Sequence, residues 1–151
     1  MFSSQDKLFM KRAIDLAKEC INDQEVPVGA VIVKHGKIIG EGKNRVIREN
    51  DVTSHAEINA IRNASKNIKN YRLNKCSMYV TLEPCHMCAK AIVDARLDSV
   101  IFASSEPKTG SVISIDNFFD KKELNHKIKY LHGLLDEESS SLLKDFFISK
   151  R

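Results

Sequence analysis

The chain has 151 residues, the length of one domain and enough to hide roughly 70% of its extended surface on folding. With 42% apolar and 29% charged residues and only 6 Gly and 3 Pro, the composition excludes collagen-like, low-complexity and disordered chains. The charge balance of 24 basic against 20 acidic residues, net +4, names no partner by itself but suits an anionic one.

In chain order, the first pattern is helical. Phe9, Ala13, Leu16, Ala17 and Cys20 share one face, with Lys7, Lys11, Lys18 and Glu19 outside it. From Pro27 to Gly42 the pattern turns β-rich: Val28 to Val33 and Ile38 to Ile39 flank Lys34-His35-Gly36-Lys37, which reads as a hairpin turn. After the polar stretch Asn44 to Ser54, a second helix is expected from about His55 to Lys66, with Thr53 or Ser54 as its N-cap. Ser77 to Leu82 reads as a strand, and Pro84 suits the first turn of a helix continuing through Cys88, Ile92 and Ala95. Val100 to Ala103 and Ile128 to Leu131 are further strands. Asp136 is expected to cap a last helix striped by Leu142, Leu143, Phe146 and Phe147. A hairpin followed by alternating helices and strands predicts a three-layer α/β/α domain on a five-stranded mixed sheet, with residues 1–151 forming a single unit.

Apolar runs such as Ala30-Val31-Ile32-Val33 fall far short of the ~20 residues of a membrane span. Met1 to Lys11 lacks the apolar block of a secretion signal, so a cytoplasmic protein with no membrane contact is expected. In that reducing compartment the four cysteines, Cys20, Cys76, Cys85 and Cys88, are not expected to form disulfides.

Cys85 and Cys88, three apart in a first helical turn, can grip one ion, and a helix N-terminus favours the thiolate that metal binding needs. Adding His55 gives a ligand set that suits zinc and leaves a position open for water, the mark of a catalytic rather than a structural site. A nearby group must then move protons, and Glu57 is the candidate. Two residues on an ideal helix are about 200° apart, so His55 and Glu57 converge only if the helix start turns one of them toward the site. Ser54-x-x-Glu57 also reads as a capping box.

His55-Ala56-Glu57 with Pro84-Cys85-His86-Met87-Cys88 matches the H-x-E and P-C-x-x-C signature of zinc-dependent nucleobase deaminases. Glu25-Val26-Pro27-Val28-Gly29-Ala30-Val31, Gly42-Lys43-Asn44-Arg45, Thr81-Leu82-Glu83-Pro84-Cys85, Pro107-Lys108-Thr109-Gly110 and the Asn125-His126 pair extend the resemblance. Together they make the chain similar to the bacterial tRNA-specific adenosine deaminases of the cytidine and deoxycytidylate deaminase superfamily. That resemblance implies a cytidine-deaminase-like fold, a homodimer, one zinc ion per subunit, and conversion of the wobble adenosine of a tRNA anticodon to inosine. It assigns His55, Cys85 and Cys88 to zinc and Glu57 to proton transfer during hydrolytic attack at C6. It places Asn44 against the flipped nucleoside, Val28 and Ala56 in the pocket wall, and Glu106 and Lys108 against the anticodon stem-loop. Glu106 stands where the family commonly has Asp.

Other readings remain open from the sequence. The same chemistry could serve free guanine, cytosine or cytidine, or the zinc could stabilise a non-catalytic RNA-binding module. The stretch from Arg62 to Lys75, with Lys66, Lys69 and Arg72 and no acidic residue, is either a solvated helix end or a phosphate-facing patch.

Overall fold

A computed structural model describes residues 1–151. A helix α1 (Ser4–Asn22) precedes the hairpin β1 (Gly29–Lys34) and β2 (Lys37–Lys43). A short helix α2 (Val46–Glu49) and a longer one, α3 (Ala56–Ile68), lead to β3 (Cys76–Leu82), α4 (His86–Asp94) and β4 (Ser99–Ser104). A 3₁₀ turn at Phe118–Asp120, β5 (Lys129–His132) and α5 (Asp136–Ser149) complete the chain. The five strands form one mixed sheet in the order β2-β1-β3-β4-β5, with β1 antiparallel to both neighbours and β3, β4 and β5 parallel. The expected architecture and sheet are therefore present.

Strand alternation builds two cores from one sheet. Ala30, Ile32, Met78, Val80 and Phe102 pack with the alanine face of α3 and with α4. Val31, Val33, Tyr79, Ile101 and Ala103 pack with Phe9, Met10, Ala13, Ile14 and Leu16 of α1. The predicted α1 face is buried throughout.

Helix α3 carries two stripes of period four. Ala56, Ala60 and Ala64 lie so close to β2 that a Cβ on Gly40 would come within 2.6 Å of the Ala64 Cβ. Asn59, Asn63 and Asn67 reach the outer edge of β2. Asn59 Nδ2 donates to the Lys43 carbonyl (2.9 Å), Asn63 Oδ1 accepts the Glu41 N–H (2.9 Å), and Asn67 Nδ2 donates to the Ile39 carbonyl (2.8 Å). Backbone groups that an edge strand would otherwise offer to another chain are thus satisfied within the fold.

Three helix starts differ from expectation. Neither Thr53 nor Ser54 caps α3: the Thr53 hydroxyl donates to Asp51 and the Ser54 hydroxyl to Glu49, and the cap position falls on His55. Pro84 lies one residue before the α4 cap, Cys85, rather than inside the helix. Leu135, with φ +57°, occupies the α5 cap position, because the Asp136 carboxylate instead accepts the Ser104 and Ser140 hydroxyls. The polar stretch after β2 contains the unforeseen α2. In the α5 stripe Phe146 is buried, whereas Phe147 is 52% exposed.

The Tyr79 hydroxyl, buried beneath α1, donates to Asp6 Oδ1 at 2.6 Å, and Asp6 also closes a capping box with Ser3. Burial alone would raise the Asp6 pKa, but the Tyr79 hydroxyl and the Ser3 groups outweigh it and hold the value below its ordinary range. A depressed carboxyl contributes stability above its unfolded pKa of about 3.9 and loses it as pH falls through the folded value. Tyr79→Phe is therefore expected to cost about 1.5 kcal/mol in urea unfolding at neutral pH. The gap from wild type should shrink once Asp6 is protonated in both proteins. An equal gap in acid and at neutrality would remove the ion from this argument.

Candidate zinc-dependent active site

The site forms where the N-termini of α3 and α4 meet at the C-terminal end of β3. His55 is the N-cap of α3 and Cys85 the N-cap of α4, both with extended backbone (φ −75°, ψ 157° and φ −75°, ψ 175°) and neither side chain capping its own helix. Cys88 occupies the N3 position of α4. The side chains at N-cap and N3 face one another, the relation a capping box uses, so the Cys-x-x-Cys spacing brings both sulfurs to one point. Two helix N-termini also direct positive partial charge at the pair, favouring thiolate.

His55 Nδ1 lies 3.6 Å from Cys85 Sγ and 3.5 Å from Cys88 Sγ, and all three ligand atoms fall within 4.8 Å of one another. A tetrahedral ion with Zn–S of about 2.3 Å and Zn–N of about 2.0–2.1 Å requires N···S edges of about 3.6 Å. One imidazole and two sulfurs at these separations fit zinc, and no fourth protein ligand completes the set. His86 turns away, its Nδ1 3.0 Å from Ser111 Oγ and its ring edge-on to Phe118. Cys76 starts β3 at the far end of the sheet with its thiol directed at the Asn74 carbonyl, and Cys20 is buried in α1. All four cysteines are free of disulfides.

The neighbouring Cys88, with His55, draws the Cys85 thiol down to about 4 against the effect of burial, and the neighbouring Cys85, together with burial, pushes Cys88 far up. The Cys85 hydrogen bond raises His55.

Glu57 is 4% exposed, and burial raises its carboxyl to about 7. It converges with His55 because the latter stands at the extended cap position, outside the helical rotation that would otherwise separate them. Both line a cavity of about 200 Å³ with Val26, Val28, Asn44, Ala56, Leu82, Glu83, Cys85 and Thr109. Pockets for drug-sized ligands run to roughly 300–1,000 Å³, so this smaller cavity suits a single base. Asn44 keeps capacity for a ligand: its Nδ2 donates to the Val26 carbonyl and its Oδ1 accepts the Val46 N–H, which leaves one N–H and one lone pair.

Of the residues expected at the substrate, Val28, Asn44 and Ala56 lie in the cavity wall. Glu106 and Lys108 do not. The Glu106 N–H is held by Glu83, its carboxylate accepts the Lys108 N–H at 3.0 Å, and Lys108 is exposed beside Thr109. The Arg62 to Lys75 run is not one patch. Arg62 and Lys66 flank an open groove along β2 with Lys43 and Arg45. Lys75 adjoins the β1–β2 turn, through the pairing of Lys34 with Cys76, at the sheet end opposite the cavity.

Sequence reasoning missed two buried carboxylates. Glu25, 1% exposed, accepts the N–H groups of Ile47 (3.1 Å) and Arg48 (2.8 Å). Glu83, 2% exposed, accepts the N–H groups of Glu106, Val112, Ile113 and Ser114 and the Ser114 hydroxyl. Burial would raise the Glu83 pKa, but these hydrogen bonds outweigh it and lower the value. Only their acidic type beside pocket-forming motifs could have signalled them.

An imidazole and two cysteine sulfurs placed to hold one metal ion, beside a buried carboxyl in a base-sized cavity, define a zinc-dependent hydrolase of the deaminase type. Residues 3–104 match the model of the cytidine and deoxycytidylate deaminase zinc-binding region. The chain belongs to this family, on the branch of the tRNA-specific adenosine deaminases. The tRNA-specific adenosine deaminase of Haemophilus influenzae is 46% identical over 99% of this chain and 87% of its own. A solved structure from work on A-to-I editing by tRNA:A34 deaminases at the wobble position of transfer RNA superposes with a TM-score of 0.87 at 41% identity, covering 89% of this chain and 98% of that one. The guanine deaminase of Bacillus subtilis, 39% identical, superposes with a TM-score of 0.64 over 91% of this chain and 90% of its own.

Proposed function

We propose that this protein, acting as a single 1–151 deaminase unit, converts the wobble adenosine of a tRNA anticodon to inosine, consuming water and releasing ammonia. The observation that carries the reading is the near full-length likeness to tRNA-specific adenosine deaminases around a cavity sized for one base. His55, Cys85 and Cys88 would hold zinc, which when bound would supply Lewis acidity and bring the pKa of a water toward about 7. Glu57 would take one proton from the attacking water and pass it to the purine ring nitrogen as C6 is attacked, then carry the second proton, from the new C6 hydroxyl, to the amine, which leaves as ammonia as the C6 carbonyl forms. Val28 and Ala56 pack against the flipped nucleoside and the free capacity of Asn44 orients it, while Glu106 and Lys108 meet the anticodon loop outside. The protein works as a homodimer in the cytoplasm, and no helix is long and apolar enough to cross a membrane.

A second reading, deamination of free guanine, is favoured by the likeness to the Bacillus subtilis enzyme. Incubating the zinc-loaded protein with an anticodon stem-loop carrying wobble adenosine, and separately with guanine, cytosine and cytidine, separates the two. Inosine in the stem-loop is the expected result. An unchanged stem-loop beside consumption of a free base would reject the tRNA reading.

A further inference from the structure

We propose that Glu83 is a positioning residue that fixes the outer rim of the cavity, holding the 106–114 segment at a set height over the zinc-binding helix and so governing how tightly RNA is gripped beside the target base. The inference rests on the proposed function and deepens it.

Glu83 lies two residues before the ligand Cys85, yet its carboxylate has no capacity left for chemistry. Oε1 accepts the Glu106 N–H at 2.9 Å and the Ser114 hydroxyl; Oε2 accepts the N–H groups of Val112 (3.0 Å), Ile113 (2.8 Å) and Ser114 (3.0 Å). Five donors fill the roughly four lone-pair sites of a carboxylate. No Lys or Arg pairs with it, so its charge is met almost wholly by the backbone of one segment.

That segment needs an anchor. It links β4 to β5 without an α-helix, although parallel neighbours are usually joined by one. Its other ties also lead to the start of α4: the Ser111 N–H donates to the Pro84 carbonyl, and Cys85 bridges Gly110. A Cβ on Gly110 would overlap the Glu83 carboxyl, so glycine is what lets the loop close over the acid. Thr109, midway between the Glu106 and Val112 anchors, lines the cavity, and the exposed Lys108 is its neighbour in the chain. A rim ordered before RNA arrives carries no ordering penalty on binding; a released rim does.

Glu83→Gln keeps the size but turns an amide N–H toward backbone donors. Relative to wild type on the stem-loop, KM is expected to rise about tenfold, with kcat within threefold and zinc content unchanged. Ser114→Ala, at an exposed position, removes one donor without disturbing the buried acid and should raise KM about twofold to threefold. Amide exchange at 106 and 112–114 should quicken in both. A fall in kcat at constant KM, or KM and exchange both unchanged, would overturn the proposal. If Glu83→Gln does not fold, Ser114→Ala decides on the same readouts. Wild-type turnover of a free base alone would reject the tRNA reading, and Glu83 would then be judged by KM for that base and by exchange.

Discussion

Glu57→Ala is expected to remain folded and zinc-loaded while inosine formation in an anticodon stem-loop slows by about 10²–10⁴-fold, the usual worth of a positioned proton-transfer group. The cavity has two carboxyl groups in its wall, Glu57 and Glu83. The Glu83 oxygens are taken up by five donors, leaving Glu57 as the one able to exchange a proton with a substrate. Its 4% exposure keeps bulk water from substituting for it. Glu57→Gln should fail as badly as Glu57→Ala, since an amide fills the space without carrying the proton. Both variants should unfold at or above the wild-type temperature, because each removes an acid whose burial disfavours its charged form. Turnover within threefold of wild type in either variant would remove Glu57 from the chemistry. Loss of zinc together with turnover would instead place it among the groups that hold the metal.

Much of this site is written locally in the chain. Cys85 and Cys88 meet because a residue at N-cap always faces its N3, and the first-turn spacing predicted that meeting. The pairing of His55 with Glu57 was not legible in the same way. Ideal helical rotation sets them apart, and only the extended backbone at the α3 cap, with Thr53 and Ser54 drawn off to Asp51 and Glu49, brings them together. The misplaced caps of α3 and α5 share one cause: a Ser, Thr or Asp before a helix has the right chemistry for a cap, but other partners compete for its oxygen, local for Thr53 and Ser54 and distant, from Ser104, for Asp136.

The fold was read from hydrophobic period, which sees which face is buried and not what a polar residue does there. The Asn59, Asn63 and Asn67 stripe has a helical period but reads as a solvated face until β2 lies beside it. Glu25 and Glu83 leave even less trace, because their partners are backbone N–H groups more than twenty residues away. The basic run fails differently. Adjacent in sequence, its cations are divided by the C-terminal end of α3 between the β2 groove and the far end of the sheet.

Cys88→Ser is expected to abolish stable zinc binding, while Cys76→Ala retains about the wild-type metal content. Cys88 is fully buried at the meeting of two helix N-termini, 3.5 Å from His55 Nδ1, and a serine hydroxyl in its place supplies neither the charge nor the softness that zinc takes from a thiolate. Two remaining ligands hold the ion far less firmly than three. Because metal bound only by the folded chain stabilises it in proportion to the logarithm of its excess over Kd, the loss has a second readout. A chelator should lower the melting temperature of the wild type and of Cys76→Ala, and leave that of Cys88→Ser, already metal-free, where it stands. Metal affinity in the wild type should also weaken as pH falls, since protons compete for the sulfurs and His55. Full zinc occupancy in Cys88→Ser would exclude this cysteine as a ligand, and zinc loss in Cys76→Ala would undo the division of the four cysteines into a metal pair and a packing pair.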